Sequence, residues 1–378
     1  MEISLKEITT KRELRSFIRF PHSLPRENDA WVPPLDMDEM NTLHWDINPA
    51  FEQCQTRYYL AYQNGKAVGR VAAIYNPLHQ ETWGQHYLRF GWIDFIEDPH
   101  VSKALMDEVE SWALELGCTA VHGPLGFTDL DREGMLVEGF HELGTLATRH
   151  DQPYYHTHLE SLGYEKDADW LEHEVAVAGP LNERVSHVAA IARKRYNLRV
   201  LDVKHKNQLL PYAHELFEII NEAYSHLYGV VHLTEDQIDA YVKQYFGFVS
   251  PPLLPVVLDE TGRMVGFTIA MPSLSRALQK GKGRLFPLGF LHLLLALKRF
   301  DRVDMYLGAV RPEYQGKGVN AIMMERFYKT VQDCGVKTLH ANPQMETNQP
   351  VLEQWEYFKV RQHKRRRVYI KHLQSKGS

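Results

Sequence analysis

Residues 310–320 read Val-Arg-Pro-Glu-Tyr-Gln-Gly-Lys-Gly-Val-Asn. Two glycines separated by one residue let a chain turn tightly and bring its backbone close to a ligand. Before them, residues 302–310 form a β-rich run with no helical period, and after them Ile322, Met323, Phe327 and Val331 fall on one face of a helix over 321–334. The glycines therefore stand between a strand and a helix start. The first amides of a helix have no intrahelical partner and attract anions, and Lys317 adds a cation. That is chemistry for a phosphate. The string lacks the third glycine of a dinucleotide fingerprint and the Gly-Lys-Ser/Thr of a P-loop; taken alone, it is also compatible with an ordinary tight loop.

In its strand–turn–helix setting the string resembles motif A of the GNAT acyltransferases, in which Gln/Arg-x-x-Gly-x-Gly/Ala binds the pyrophosphate of acyl-coenzyme A. The resemblance implies a cofactor set of Ala309, Val310, Gln315, Gly316, Lys317, Gly318, Val319 and Asn320, with Asn320 where the family carries a small residue. The family's second signature, an Asn followed by a short helix ending in Tyr, is matched at Asn348. Trp355 stands where that Tyr, the acid for the leaving thiolate, would be, and an indole cannot act as that acid. The implied reaction is N-acyl transfer from acyl-CoA or acetyl-CoA to an amine, with no metal. A general base assists by taking a proton from the amine. Asp304 is the first candidate, on the motif strand where histone-type members carry a base, and Glu346 is the second. Tyr357 or Tyr306 would protonate the sulfur. Each has a plainer reading, as a strand carboxylate or a packing tyrosine.

The elements that position these residues follow a repeated order. In the N-terminal half the patterns predict a helix over 11–20, an extended arm over 21–46, and a hairpin over 57–74 around Asn64-Gly65. A strand over 86–96, a helix over 99–116, a strand over 119–124, a helix over 154–162 and a strand over 170–178 follow. In the C-terminal half they predict a strand at 197–202, helices over 209–227 and 234–246, and strands at 255–259 and 264–271. Then come the motif strand, turn and helix, a strand at 337–342, a short helix over 348–358 and a last strand at 366–372. Both halves resemble the GNAT order, so the expected fold is α/β with a mixed sheet in two tandem GNAT-like domains. Residues 1–195 form a degenerate copy and residues 196–378 the catalytic, CoA-binding copy. The first copy has Glu97-Asp98-Pro99-His100 where the phosphate turn would be, and carboxylates at a helix start repel a pyrophosphate. Its long loop, residues 126–150, offers Asp129, Asp131, Glu133, Glu138 and His141 to a substrate or to the capping of its own turns.

Residues 285–297 are almost wholly apolar, flanked by Lys280, Lys282, Arg284, Lys298 and Arg299, and too short to span a bilayer. They read either as a buried helix, or as an interfacial helix making peripheral membrane contact through 285–299 or one wall of an acyl-chain groove. The basic run 363–367 reads as a solvated strand edge, or as a contact for a phosphate or membrane. The net charge of −5 argues against a general nucleic-acid binder, and three isolated cysteines point to a reducing, cytoplasmic setting, with the inner membrane face as an alternative. The double-repeat length and the strings at 126–140 and 154–170 resemble the tandem GNAT-like branch that includes bacterial ceramide synthases. That resemblance implies a fatty acyl-CoA donor and a lipid amine acceptor such as a sphingoid base. An acetyltransferase of a small molecule or protein, and a catalytically decayed CoA-binding or regulatory protein, are the alternatives.

Overall fold

The computed structural model describes residues 2–374. β1 (Ser4–Glu7) leads into α1 (Lys11–Arg19), whose start is set by a capping box between Thr10 and Glu13. The expected extended arm over 21–46 instead contains α2 (Asp36–Leu43), because Leu43 and Met40 find a core to pack on beside Phe17 and Phe127. The hairpin of β2 (Gln55–Gln63) and β3 (Lys66–Tyr75) turns at Asn64 and Gly65, both at positive φ as a two-residue turn of this kind requires. There follow α3 (Pro77–Trp83), β4 (Tyr87–Phe95), α4 (Pro99–Glu115), β5 (Ala120–Gly123), β6 (Met135–Glu138), α5 (Tyr154–Ser161) and β7 (Glu165–Ala176). Next comes α6 (Glu183–Tyr196), which the sequence patterns above do not predict; Asn182 caps its start and Asn197 ends it in the left-handed region. The chain continues through β8 (Arg199–Val200), α7 (Ala213–Tyr224), α8 (Glu235–Tyr245), β9 (Val256–Leu258), β10 (Met264–Pro272), α9 (Ser275–Gly281) and α10 (Gly289–Lys298). The last elements are β11 (Arg302–Val310), α11 (Val319–Asp333), β12 (Thr338–His340), β13 (Gln344–Met345), α12 (Gln349–Leu352) and β14 (Val360–His372).

The chain packs as two units. The first takes the residues up to Leu171, Leu274–Leu293 and the residues from His363 on; the second takes Glu172–Ser273 and Leu294–Gln362. These units and the sequence halves 1–195 and 196–378 divide the chain differently. In the first unit the strands run β1-β2-β3-β4-β5-β14-β7, with β4 and β5 parallel and α4 as the crossover between them. Phe90, Phe95, Leu105 and Trp112 centre its core. In the second unit the order is β7-β12-β11-β10-β9-β8, with β11 and β12 parallel and α11 as the crossover. Each unit thus holds one strand–helix–parallel-strand crossover flanked by an antiparallel hairpin, so the repeat is structural.

Two sequence expectations are corrected here. The basic run 363–367 is not a solvated edge: it lies inside β14, where His363, Lys364 and Arg366 are buried. Alternation sends Arg365 and Arg367 to the Asp169 carboxylate, at 2.9 and 2.8 Å. The apolar segment is not a buried helix either, since α10 turns most of its leucines outward.

Candidate functional site

The glycine turn leaves β11 through a short 3-10 turn, Pro312–Tyr314, and enters α11 at Gly318. Gly316 and Gly318 both lie in the left-handed region, at φ +72° and +81°. The two do different work. A Cβ on Gly318 would stand 2.9 Å from Ala192 Cβ and 3.2 Å from Val188 Cγ1, so this glycine lets α6 close onto the turn. A Cβ on Gly316 would meet nothing within 4 Å. Gly316 therefore faces open space. Gln315 ties the turn back to its strand, donating to Val310 O at 3.2 Å. Lys317 lies over the rings of Tyr314 and Tyr196 at 5.3 and 5.4 Å. No side chain caps α11, a feature it shares with α7 and α12, whereas α6 and α8 of the same unit carry Asn182 and Thr234 as caps. A helix end left with amide donors and positive dipole is a site for an anion, and its residues fit the diphosphate of a coenzyme A.

Behind the turn, β11 carries a bulge. Ile269 pairs with Leu307 and Ala270 with Met305, leaving Tyr306 as the extra residue. Pairing with β12 ends at Asp304↔His340, while β11 runs on to Val310. Past that point side chains reach the strand edge: Asn342 Nδ2 donates to Tyr306 O at 2.9 Å, and Tyr224 Oη donates to Gly308 O at 3.0 Å. Tyr224 Oη also lies 3.4 Å from Gly308 N. Such an edge can exchange a side chain for an extended ligand with amide and carbonyl groups of its own.

Asp304 sits at the fork, 2% exposed. Its neighbours Val303 and Met305 pack in the cluster with Phe327 and Val331 of α11, so Asp304 faces the opposite side of the sheet. Register lines it up with His340 and then Glu174, and His340 Nε2 approaches Glu174 Oε2 at 3.2 Å. The row carboxylate–imidazole–carboxylate is chemistry for accepting and moving a proton. Glu346 lies on the turn after β13, and Tyr357 under the Arg184 guanidinium, 5.6 Å from its ring. Asn348 begins α12 without a side-chain cap bond. Trp355 is buried, and its Nε1 donates to Gln344 Oε1 at 2.7 Å, which makes it a core residue of the second unit.

Several contributors escaped the sequence reading. Arg311 is 2% exposed in its side chain; its Nε donates to Met264 O at 2.8 Å, and it pairs with Glu222 and Glu215 of α7 at 2.6 and 3.3 Å. It latches α7, the helix carrying Tyr224, to the end of the motif strand. Three glutamates spaced one helical turn apart, Glu215, Glu218 and Glu222, were the visible signal. Under α7 and α8 lies an apolar cavity of about 80 Å³, lined among others by Leu216, Phe217, Tyr241, Phe246, Val256 and Ile269.

The first unit has the same frame with different chemistry. β4 and β5 part after Arg89↔His122, and β4 is bulged near Trp92, which sits at φ +44°. Here the chain itself fills the gap: Leu125 N–H donates to Phe90 O at 2.8 Å, and a Cβ on Gly91 would lie 2.4 Å from Leu125 O. Arg89 occupies the last parallel pair, as Asp304 does in the second unit, and α4 is capped by the Asp98 carboxylate. Of the loop carboxylates, Asp131 accepts from the amides of Phe127 and Thr128 at 2.8 and 3.2 Å. Burial pushes Asp129 up to about 6 and Asp131 to about 7. Burial also raises Glu133, with the Asp129 charge adding to it. Glu138 pairs with Arg365 at 3.2 Å, and His141 Nδ1 lies 3.3 Å from Asn28 Nδ2.

No protein-family model matches the chain. It is 27% identical over 381 residues to Protein YghO of Escherichia coli (strain K12), across 98% of this chain and 95% of the relative. It is also 27% identical over 387 residues to the Bacterial ceramide synthase of Caulobacter vibrioides (strain NA1000 / CB15N), across 98% of each. Among solved structures it superimposes on a tandem GNAT protein from the clavulanic acid biosynthesis pathway with a TM-score of 0.54, at 11% identity and 98% coverage of both chains. A probable N-acyltransferase from Enterococcus faecalis V583 gives a TM-score of 0.52 at 8% identity, over 99% of this chain and 74% of that one.

Proposed function

From a chain that has the tandem GNAT fold, we propose an N-acyltransferase whose second unit binds acyl-coenzyme A at the Gly316–Gly318 turn and acylates a lipid amine such as a sphingoid base. The observation that carries this reading is the contrast between the two crossovers. One has an uncapped helix end and a strand edge touched by side chains; the other is capped by Asp98 and filled by backbone. In the reaction the amine nitrogen attacks the thioester carbon, the C–S bond breaks, and the ammonium proton leaves to a base. Asp304, backed by His340 and Glu174, is that base, and Tyr306 or Tyr357 gives a proton to the departing sulfur. The turn amides and Lys317 hold the diphosphate, so positioning supplies much of the rate.

A long-chain substrate is supported by the name of the Caulobacter relative. The site of action in this reading is the cytoplasmic side of a membrane, where a lipid amine is found. The test is incubation with a panel of acyl-CoAs and amines, including long-chain amino alcohols, read by mass spectrometry. The expected result is an amide product and free CoA from a fatty acyl-CoA, which also protects the protein against heating more than acetyl-CoA does. Better protection and turnover with acetyl-CoA and a water-soluble amine would favour the small-molecule reading, and binding without turnover of any pair would leave a decayed site.

A further inference from the structure

We propose that α10 and the segment leading into it, residues 286–295, form a docking surface for an anionic lipid bilayer. The helix is built the wrong way round for a water-facing element. Gly289 and Leu293 point inward, one turn apart. A Cβ on Gly289 would fall 1.7 Å from Arg284 O, so the helix start is pressed against its own lead-in. At about 100° per residue, Phe290, Leu291, Leu294 and Leu295 share one continuous outward arc with Lys298. All four are exposed, Leu294 at 50% and Leu295 at 57%. Phe286 and Leu288, just before the helix, add 76% and 59%, and the Phe286 and Phe290 rings lie 6.0 Å apart. Scattered exposed leucines are ordinary; a contiguous set on one face marks a contact surface.

The charges around the patch identify its occupant. Residues 274–300 carry six basic side chains, Arg276, Lys280, Lys282, Arg284, Lys298 and Arg299, and no acidic one, in a chain whose net charge is −5. Lys280, Lys282 and Arg284 precede the apolar residues, and Lys298 and Arg299 follow them. A second copy docking the same face would bring two such cationic sets together. Anionic headgroups around inserted hydrocarbon would satisfy both features at once. Spanning is excluded by length, since α10 has 10 residues and a crossing needs about 20. No helix among the described residues is long and apolar enough to cross a membrane.

Vesicle binding tests this without substrate or turnover, so its outcome is independent of the acyltransferase reading. The full chain is mixed with vesicles of phosphatidylcholine alone, and with vesicles containing roughly a third phosphatidylglycerol, near 0.1 M salt, and bound protein is separated by flotation. The protein should float with the anionic vesicles. Leu291→Asp with Leu294→Asp should lower the partition coefficient about tenfold or more, as should Lys298→Glu with Arg299→Glu, and added salt should weaken binding. These side chains are exposed, so the variants should keep the wild-type melting curve; if the leucine pair does not, Lys280→Glu with Lys282→Glu replaces it. No binding to anionic vesicles, or binding that the variants leave unchanged, overturns the proposal. So does a lipid-free dimer in sedimentation equilibrium that Leu294→Asp disperses, since the patch would then belong to a second copy.

Discussion

His79 is held between two partners that agree on one protonation state. Arg89 Nη2 lies 3.2 Å from its Nδ1, and Gln85 Oε1 lies 3.1 Å from its Nε2. The guanidinium can only donate, so Nδ1 must accept and Nε2 must carry the proton. A second proton on Nδ1 would point at a cation inside the core. Burial, with the Arg89 charge adding to it, lowers this imidazole to about 4. The sign follows from linkage: the unfolded chain takes up the proton first, so the stabilisation is complete above the usual pKa of 6.5 and is lost as the pH falls toward 4. The amount is roughly 3 kcal/mol. Urea unfolding of wild type should therefore lose stability over that window, and His79→Gln should lose distinctly less. Parallel losses in the two proteins would show that His79 does not carry the effect.

The turn and its two helices form the smallest element that has to be right for a ligand to bind. α6 packs onto α11 and onto Gly318, so this helix shapes the turn, and it carries Arg184 over the Tyr357 ring. Gly318→Ala adds a contact that real Cβ atoms avoid to the strain of its positive φ, whereas Gly316→Ala adds the strain alone, about 1 kcal/mol. We expect Gly318→Ala to unfold at lower urea than Gly316→Ala, by about 1–2 kcal/mol more. Equal midpoints would mean that α6 does not press on the turn. The strand–turn–helix was legible because its glycines and its apolar period both fall within a short window. α6 was not read, although Asn182 and Asn197 mark its ends. Its inward face is Val185, Ala189 and Ala192, small side chains chosen for close approach, and they leave only a faint apolar stripe.

For the molecule as a whole, the sequence announces two copies of one crossover but hides how the strands are shared. Periodicity reports that residues 366–372 are a strand; it says nothing about which edge they join. β14 pairs with β5, Tyr369 against Gly123 and His372 against Ala120, and with β6. The same strand carries Arg365 and Arg367 to Asp169, so a basic run that looks solvent-facing is an internal ladder. The pairing of distant segments is decided by packing that no local window contains. A chain ending at Gln362 should consequently lose amide-exchange protection in β3, β4 and β5 while β10 and β11 keep theirs. Undiminished protection in β5 would show that the first unit is complete without the final strand.

That placement has a consequence in time. A ribosome releases the residues of β1 to β5 long before it makes β14, and domains commonly fold in the order of their synthesis. Here the unit begun first cannot be closed until β14 leaves the exit tunnel. During translation the edge of β5 is an open template, exposed to any neighbouring nascent chain that offers it a strand.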